Sequence, residues 1–343
     1  MKEQAALAKM VTPSMKRNTW RNGILQIHIT RACDKQCFGC TQGSNLGGKN
    51  VYLSTEEFEQ AVISLKDYFG VVGIFGGNPA MHPKFEESCT VLRQHIPQEQ
   101  CGLWCNKLFG KGKFARITFN PEVSNLNVHM DQDAYDEFYR DWPECRKQIK
   151  GHDKDSRHSP PFVAMMDVMP NEAERWELIA NCDVNQNWSA MICTVPGKGL
   201  RGYFCEIAGA QAMLHADDPE WPDLGVPIEA GWWKQSIEAF AKQVKFHCHR
   251  CGVPLRRFGQ LACDGAFEEF SATHADIYKP KDKNRRVELI TLDSAPDTKT
   301  LKVVTNYIEN SAIKNDLMSL RAGRWTQIGR VIRRALPWRN RNH

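Results

Sequence analysis

The feature that most constrains this chain is a short loop, Cys33-Asp34-Lys35-Gln36-Cys37-Phe38-Gly39-Cys40, in which three cysteines stand at C-x3-C-x2-C spacing. It follows directly on Gly23 to Thr30, an apolar run that reads as a β-strand. The fold must therefore deliver a strand into a loop that gathers three thiols. Thirteen of the 343 residues are cysteine, and at that frequency a chance match to this one spacing is roughly 0.02. The first twenty residues hold no uninterrupted apolar core of a secretory signal, and no window approaches the roughly eighteen apolar residues of a spanning helix. A reducing, cytoplasmic setting is therefore expected. Disulfides are disfavoured there, and an odd count could not pair completely in any case. Thirteen cysteines then point to metal or redox chemistry.

The rest of the chain supports an α/β fold. Strand-like runs recur at Val71 to Phe75, Cys101 to Cys105, Ser124 to His129 and Pro161 to Val168. Helical patterns intervene at Ser54 to Tyr68, Phe85 to Gln94, Gln132 to Arg140 and Asn171 to Ile179. The first of these opens on Ser54 or Thr55, with Glu57 as capping-box acid. Strands separated by helices indicate βαβ units and a parallel sheet. Five or six units fit, fewer than a full eight-fold barrel. Four stretches are expected: a polar lead-in over 1–22, a partial barrel over 23–192, a cysteine- and tryptophan-rich segment over 193–285 with a helix from Trp232 to Phe246, and a late strand with a basic tail over 286–343. From Lys314 onward eight cations face the single acid Asp316. The tail thus carries +7 of a whole-chain net charge of +5, and the remaining residues sum to −2.

Three thiolates on one loop suit three irons of a [4Fe–4S] cluster, and leave the fourth iron open to chelate a small molecule. The alternative is a zinc knuckle completed by a ligand such as His28. The stretch Ile29 to Cys40 resembles the signature loop of the radical S-adenosylmethionine superfamily, with Gly39 where that family often has an aromatic residue and Phe38 one position earlier. The resemblance implies a partial (β/α)6 TIM-type barrel, with S-adenosylmethionine bound through its amino and carboxylate groups at the open iron. It implies cleavage to a 5′-deoxyadenosyl radical that abstracts a substrate hydrogen atom. Gly76-Gly77-Asn78-Pro79 resembles the family's Gly-Gly-Glu-Pro stretch beside the methionine end of the cofactor, with Asn78 a neutral acceptor in place of the acid. Gly102 to Lys107 resembles the family's third strand end. Asn127 and His129 share strand parity at the fourth, where the family faces the ribose and the substrate. Phe38, Gly39, Gly76, Gly77, Asn78, Pro79 and Asn127 are the cofactor-binding residues so implied.

A second cysteine group follows. Cys193 and Cys205 flank a stretch with Pro196, Gly197, Gly199 and Gly202 that reads as a hairpin, and Cys248-His249-Arg250-Cys251 adds a C-x2-C pair. On residues alone this suits a zinc ribbon as well as an iron–sulfur site. The arrangement resembles the twitch domain, the shortened SPASM domain, and the resemblance implies a small α+β domain holding one auxiliary [4Fe–4S] cluster on Cys193, Cys205, Cys248 and Cys251. Cys263 is a fifth nearby cysteine, able to substitute as ligand, to return a hydrogen atom, or simply to be buried. Cys89, Cys101, Cys105, Cys145 and Cys182 lack motif spacing and read as core.

Such an enzyme would isomerise, epimerise or oxidise its substrate. Acid–base partners are expected among Asp167, Glu206, His129 and Tyr203. Peptide-modifying members of the superfamily commonly carry an N-terminal peptide-binding domain. About 22 residues precede the first strand here, so a small sugar, aminocyclitol or nucleoside-like substrate is expected. In the tail, Trp325, Ile328, Ile332 and Leu336 recur at helical spacing among arginines. A basic amphipathic helix of that kind can dock on the protein, meet a nucleic acid or anionic membrane, or attract a flavodoxin- or ferredoxin-type reductant. Radical modification of a nucleobase in DNA or RNA is thus a second reading. A non-enzymatic metal protein that binds nucleic acid is a third.

Overall fold

The structure is a computed structural model. It describes residues 23–47, 50–154, 156–180, 182, 190–235, 237–255, 260–261, 267–277 and 284–294. The expectations for the lead-in, for Cys263 and for the basic tail lie outside these residues.

The fold is mixed α/β, built on one eight-stranded sheet. The first strand, β1 (Ile24–Thr30), alternates strictly. Leu25, Ile27 and Ile29 join the main core, while Gln26, His28 and Thr30 take the other face. Helix α1 (Thr55–Ser64) starts at the expected capping box, with the Glu57 N–H donating to Ser54 Oγ at 3.1 Å and the Ser54 N–H to Glu57 Oε2 at 3.2 Å. The chain continues through β2 (Val71–Gly76), α2 (Phe85–His95), β3 (Cys101–Cys105), α3 (Gly112–Thr118), β4 (Asn125–Asn127), α4 (Gln132–Asp141) and β5 (Ile149–Lys150). Strands β1 to β5 pair in sequence order and all run parallel. Strands β1 to β4 are the ones legible in the sequence, whereas α3 and β5 are not among the expected elements.

The fifth expected strand is not where the sequence put it. Pro161 to Val168 is not a strand. After a two-residue strand β6 (Arg157–His158) it ends in a short helix, α5 (Met165–Val168), followed by α6 (Glu172–Ala180). Pro160 and Pro161 lack the N–H groups a central strand must donate, which the apolar run concealed. The sixth parallel strand is instead β7 (Ala190–Val195), and it lies beside β1 rather than beside β5. A hydroxyl contact supports this join: Thr194 Oγ1 donates to Glu57 Oε1 at 2.9 Å, tying β7 to the start of α1.

The expected hairpin is present. β7 turns into the antiparallel β8 (Gly199–Tyr203), and β9 (Val226–Pro227) completes the sheet. The cysteine-rich segment is therefore continuous with the barrel sheet. Between β8 and β9 runs α7 (Glu206–Leu214), whose residues Glu206 to Met213 are all buried. The helix expected over Trp232 to Phe246 resolves into a 3-10 turn at Trp232–Lys234, α8 (Ile237–Gln243) and a π turn at Val244–Cys248. Two small sheets complete the fold: β10 (Gln260–Leu261) against β6, and β11 (Phe267–Phe270) parallel to β12 (Arg286–Leu289), the expected late strand. No helix among the described residues is long and apolar enough to cross a membrane.

Candidate functional site

The loop after β1 stands where a parallel sheet places its chemistry, at the C-terminal end of its strands. Cys33, Cys37 and Cys40 are all half-buried, unlike most of the other described cysteines. The backbone supports them. The Lys35 N–H donates to Cys33 Sγ at 3.4 Å, and Asn106, just past β3, places its amide nitrogen 3.7 Å from the same sulfur. Lys35 pairs with Asp131, the N-cap of α4, and Lys107 stands 3.6 Å from that carboxylate. Burial opposes the Asp131 charge, but the Lys35 ammonium, the Ala134 N–H and Lys107 outweigh it and hold the carboxyl at about 2. The β3 and β4 ends thus grip the first half of the loop.

The second half is gripped from an unexpected quarter. Glu268 on β11 accepts the Gly39 N–H at 3.1 Å and the Asn45 side-chain amide, and pairs with Arg285 at 3.1 Å. Arg285 also reaches the Cys37 carbonyl at 3.4 Å, and Asn45 donates to that carbonyl at 2.8 Å. The two charged side chains are 0 % and 1 % exposed. Burial pushes the Glu268 carboxyl up to about 7, against the pull of Arg285 and of the N–H donors around it. Gly39 itself has φ of +58°, and a Cβ there would meet the Ser159 carbonyl oxygen at 2.6 Å. A side chain at this position is excluded both by backbone conformation and by space, which accounts for glycine in place of an aromatic residue.

The Gly76-Gly77-Asn78-Pro79 stretch spends its polar groups on the protein. The Gly77 and Asn78 N–H groups donate to the Thr30 and Ala32 carbonyls, each at 2.7 Å. A Cβ on Gly77 would meet the Ala32 oxygen at 2.4 Å. The glycines let the end of β2 lie against the root of the cysteine loop. The Asn78 side chain is fully buried. Its oxygen accepts the Ala80 N–H at 3.0 Å and lies 3.2 Å from Cys105 Sγ, while its nitrogen donates to Asn106 and to the Lys107 carbonyl. Pro79 is buried at the head of the 3-10 turn that Asn78 caps. Asn127 donates to Ser156 and accepts the His129 N–H at 3.2 Å. His129 has φ of +48° and stands edge-on to His158, 5.9 Å between ring centres, and His158 bonds the Phe38 carbonyl at 3.0 Å. Phe38 is buried beneath the loop.

The other expected acid–base residues separate. Glu206, the first residue of α7, is 1 % exposed and meets the Thr41 hydroxyl at 3.4 Å, one residue beyond Cys40. Asp167 caps the turn at Thr273, accepting its N–H and hydroxyl at 2.8 Å each. Tyr203 is fully buried in β8, its hydroxyl without a hydrogen-bond partner among the described residues. It is a core residue, its ring edge-on to His247.

The second cysteine group differs from the expected set by one member. Cys205, the N-cap of α7, and Cys248 lie within electrostatic reach of each other and of Cys182 and Cys251. Cys182 also acts on Cys251. Burial and the neighbouring sulfurs push Cys205, Cys248 and Cys251 well above the ordinary thiol range. Cys193 stands elsewhere. Its charged neighbours are Arg201 and Asp223, and its sulfur faces the Gly209 carbonyl at 3.9 Å. Strand parity decides this, since Cys193 shares a face of β7 with Met191, which packs on Gly209 of α7. Cys182 carried no spacing signal because it is isolated in sequence. Cys89, Cys101, Cys105 and Cys145 are core, as expected.

Among the described residues, no group of three or more His, Cys, Asp or Glu side chains is set to grip a single metal ion. A cubane cluster spreads its cysteine sulfurs wider than one ion does. Four mutually repelling buried sulfurs also need a cationic core before they ionise together. The second donor set fits a thiolate-bound iron–sulfur cluster. On the first loop, three half-buried thiols, Cys33 among them held by N–H···S contacts, fit three irons.

No protein-family model and no curated protein matches the chain. Among solved structures, one of BtrN in complex with AdoMet and 2-DOIA aligns with a TM-score of 0.42 and 11 % identity, over 71 % of this chain and 92 % of that one. A likeness this loose carries no weight for the site.

Proposed function

We propose that the chain is a radical S-adenosylmethionine enzyme with two iron–sulfur clusters, acting on a small or nucleotide-derived substrate. The observation that carries this reading is the half-exposed Cys33, Cys37 and Cys40 set, held at the C-terminal end of β1 in a parallel sheet. Cys33, Cys37 and Cys40 would hold the first cluster, which would supply the electron for reductive S-adenosylmethionine cleavage and so the hydrogen-abstracting chemistry. The three thiolates hold three irons. The Gly39 peptide, fixed by Glu268, gives the loop a single conformation and saves the cost of ordering it on loading. Asp131, Lys35 and Asn106 hold the Cys33 end. Glu206 is placed to serve as the acid–base group, because it alone among the expected candidates lies between the two cysteine groups. Cys182, Cys205, Cys248 and Cys251 close the auxiliary cluster. The net outcome, whether isomerisation, epimerisation or oxidation, depends on whether the substrate radical's electron leaves.

Anaerobically purified protein should be brown and hold about eight irons. It should release 5′-deoxyadenosine under reduction, and lose that activity when Cys33, Cys37 and Cys40 become Ala. Cys182→Ser should lower iron by about four per chain, whereas Cys193→Ser should leave it unchanged. A colourless protein with stoichiometric zinc overturns the reading. Iron lost in Cys193→Ser and kept in Cys182→Ser overturns the ligand set.

A further inference from the structure

The auxiliary cysteines are not sealed on every side. Cys205, Cys251 and Cys182 are buried, but Cys248 is half-exposed. The residues that follow it, His249 and Arg250, form part of the wall of an open hollow of about 430 Å³. Arg175 from α6, Lys242 from α8 and Lys245 from the π turn complete a basic rim, against the single acid Glu172. Lys242 and Lys245 are exposed. Within the hollow Phe246 is half-exposed, and the Arg250 guanidinium stacks on its ring at 3.8 Å. Arg175 donates to His249 Nδ1 at 3.1 Å, which orients the imidazole. The His249 side chain is 7 % exposed, and its Nε2 has no hydrogen-bond partner among the described residues.

These observations have a common sense. A concave patch with an apolar centre and a cationic rim has the anatomy of a protein contact. Four cations against one acid select an acidic partner and steer its approach. Its place on the Cys248-His249-Arg250-Cys251 loop puts any docked molecule next to Cys248, the least buried of the four cysteine residues. Redox encounters use small, charge-guided contacts of this kind.

We infer that this hollow is the docking site for an acidic one-electron carrier protein of the flavodoxin or ferredoxin class, delivering to the auxiliary cysteine group. The inference rests on the auxiliary-cluster reading above. In the exchange one electron passes from the reduced carrier to iron held by the four thiolates. The carrier's flavin or iron–sulfur centre is oxidised by one electron, the site's iron is reduced by one, and no atom is transferred.

The test uses the full-length, iron-loaded protein and an acidic flavodoxin as probe. Binding is measured anaerobically at low and high salt, and electron delivery by stopped-flow absorbance. Lys242→Glu/Lys245→Glu should weaken binding at least tenfold at low salt and slow the electron transfer, with binding to the unaltered protein falling as salt rises. Lys66→Glu/Lys113→Glu, an equal charge change at exposed sites outside the hollow, should leave both unchanged. Dithionite-supported 5′-deoxyadenosine release should be the same in all three proteins. Binding within twofold of wild type in the Lys242/Lys245 variant overturns the docking site, as does equal weakening in the Lys66/Lys113 variant. Iron and visible absorbance measured on the same samples separate the two failures. A protein without the second set of irons refutes the cluster reading, whereas an iron-replete protein with charge-insensitive binding refutes only the docking.

Discussion

Replacing Arg285 by Met tests the buried clamp on the cysteine loop. The substitution keeps most of the side-chain volume and removes the guanidinium that pairs with Glu268 at 3.1 Å in a sealed environment. Removing one partner of a buried ion pair typically costs about 3–5 kcal/mol, because the other charge is stranded. Here the carboxylate keeps the N–H donors of Gly39, Glu269 and Asn45, so the lower end, about 3 kcal/mol, is expected. The cost depends on pH in a defined direction. Burial holds the Glu268 carboxyl at about 7, above the ordinary carboxylate value. The folded protein therefore keeps a proton that the unfolded chain has lost. Stability from this group is full below the ordinary value and falls as pH rises through 7. At about pH 8 the carboxylate is charged and Arg285→Met strands it. At about pH 5.5 it is protonated in the native state, and the substitution forfeits only hydrogen bonds, about 1 kcal/mol. Urea unfolding followed by tryptophan fluorescence at the two pH values reads both costs. Glu268→Gln should flatten the wild-type decline. Equal costs at both pH values, or a cost below about 1 kcal/mol at the higher one, would refute the argument.

Gly77→Ala forces a Cβ to within 2.4 Å of the Ala32 oxygen, so it should displace the root of the cysteine loop and cost about 1–3 kcal/mol. Iron at the first site should fall with it, and normal iron loading together with wild-type stability would contradict the close approach. His215, His247 and His274 form a buried set, with His215 Nε2 and His274 Nδ1 2.9 Å apart and His274 Nε2 on the Arg250 carbonyl. Burial lowers all three, His274 to about 3. An imidazole held neutral contributes stability above its ordinary value that is lost as pH falls, at about 1.4 kcal/mol per pH unit for each group. His274→Gln can keep both hydrogen bonds without titrating, so it should reduce the acid slope of unfolding free energy by that amount between about pH 6 and 4. An unchanged slope counts against the neutral imidazole.

Local elements were legible where local physics decides them. The α1 capping box, strands β1 to β4 and the β7–β8 hairpin follow from caps, periodicity and turn glycines over a few residues. The three-cysteine loop was legible for the same reason. Long-range choices were not. That β7 pairs with β1 rather than β5 is a matter of sheet assembly, and the apolar pattern of β7 would suit either edge. Cys182 and Cys193 show the limit most clearly. Cys193 sits in an obvious hairpin, yet its parity on β7 turns it toward Gly209. Cys182 has no sequence neighbour of its kind and is brought to Cys205, Cys248 and Cys251 only by the folded chain. Glu268 and Arg285 are not legible locally, because the pairs Glu268-Glu269 and Arg285-Arg286 read as solvated charge, and only the partners Gly39 and Cys37, more than 200 residues away, reveal them as buried.

The position of β7 also bears on how the two cysteine groups relate. By pairing with β1, the hairpin brings α7 alongside the first loop. Cys205 is the N-cap of that helix, Glu206 at its start meets Thr41, and Leu214 at its end packs where a Cβ on Gly43 would stand. The helix is buried along its length, so it has little freedom to tilt without disturbing its packing. One rigid element therefore carries Cys205 of the second cysteine group and borders the loop of the first. Had β7 paired with β5, the two groups would have been set by separate elements on opposite edges of the sheet. As folded, the spacing between them is fixed by a single helix. That fixed spacing is what a proton relay through Glu206 would require.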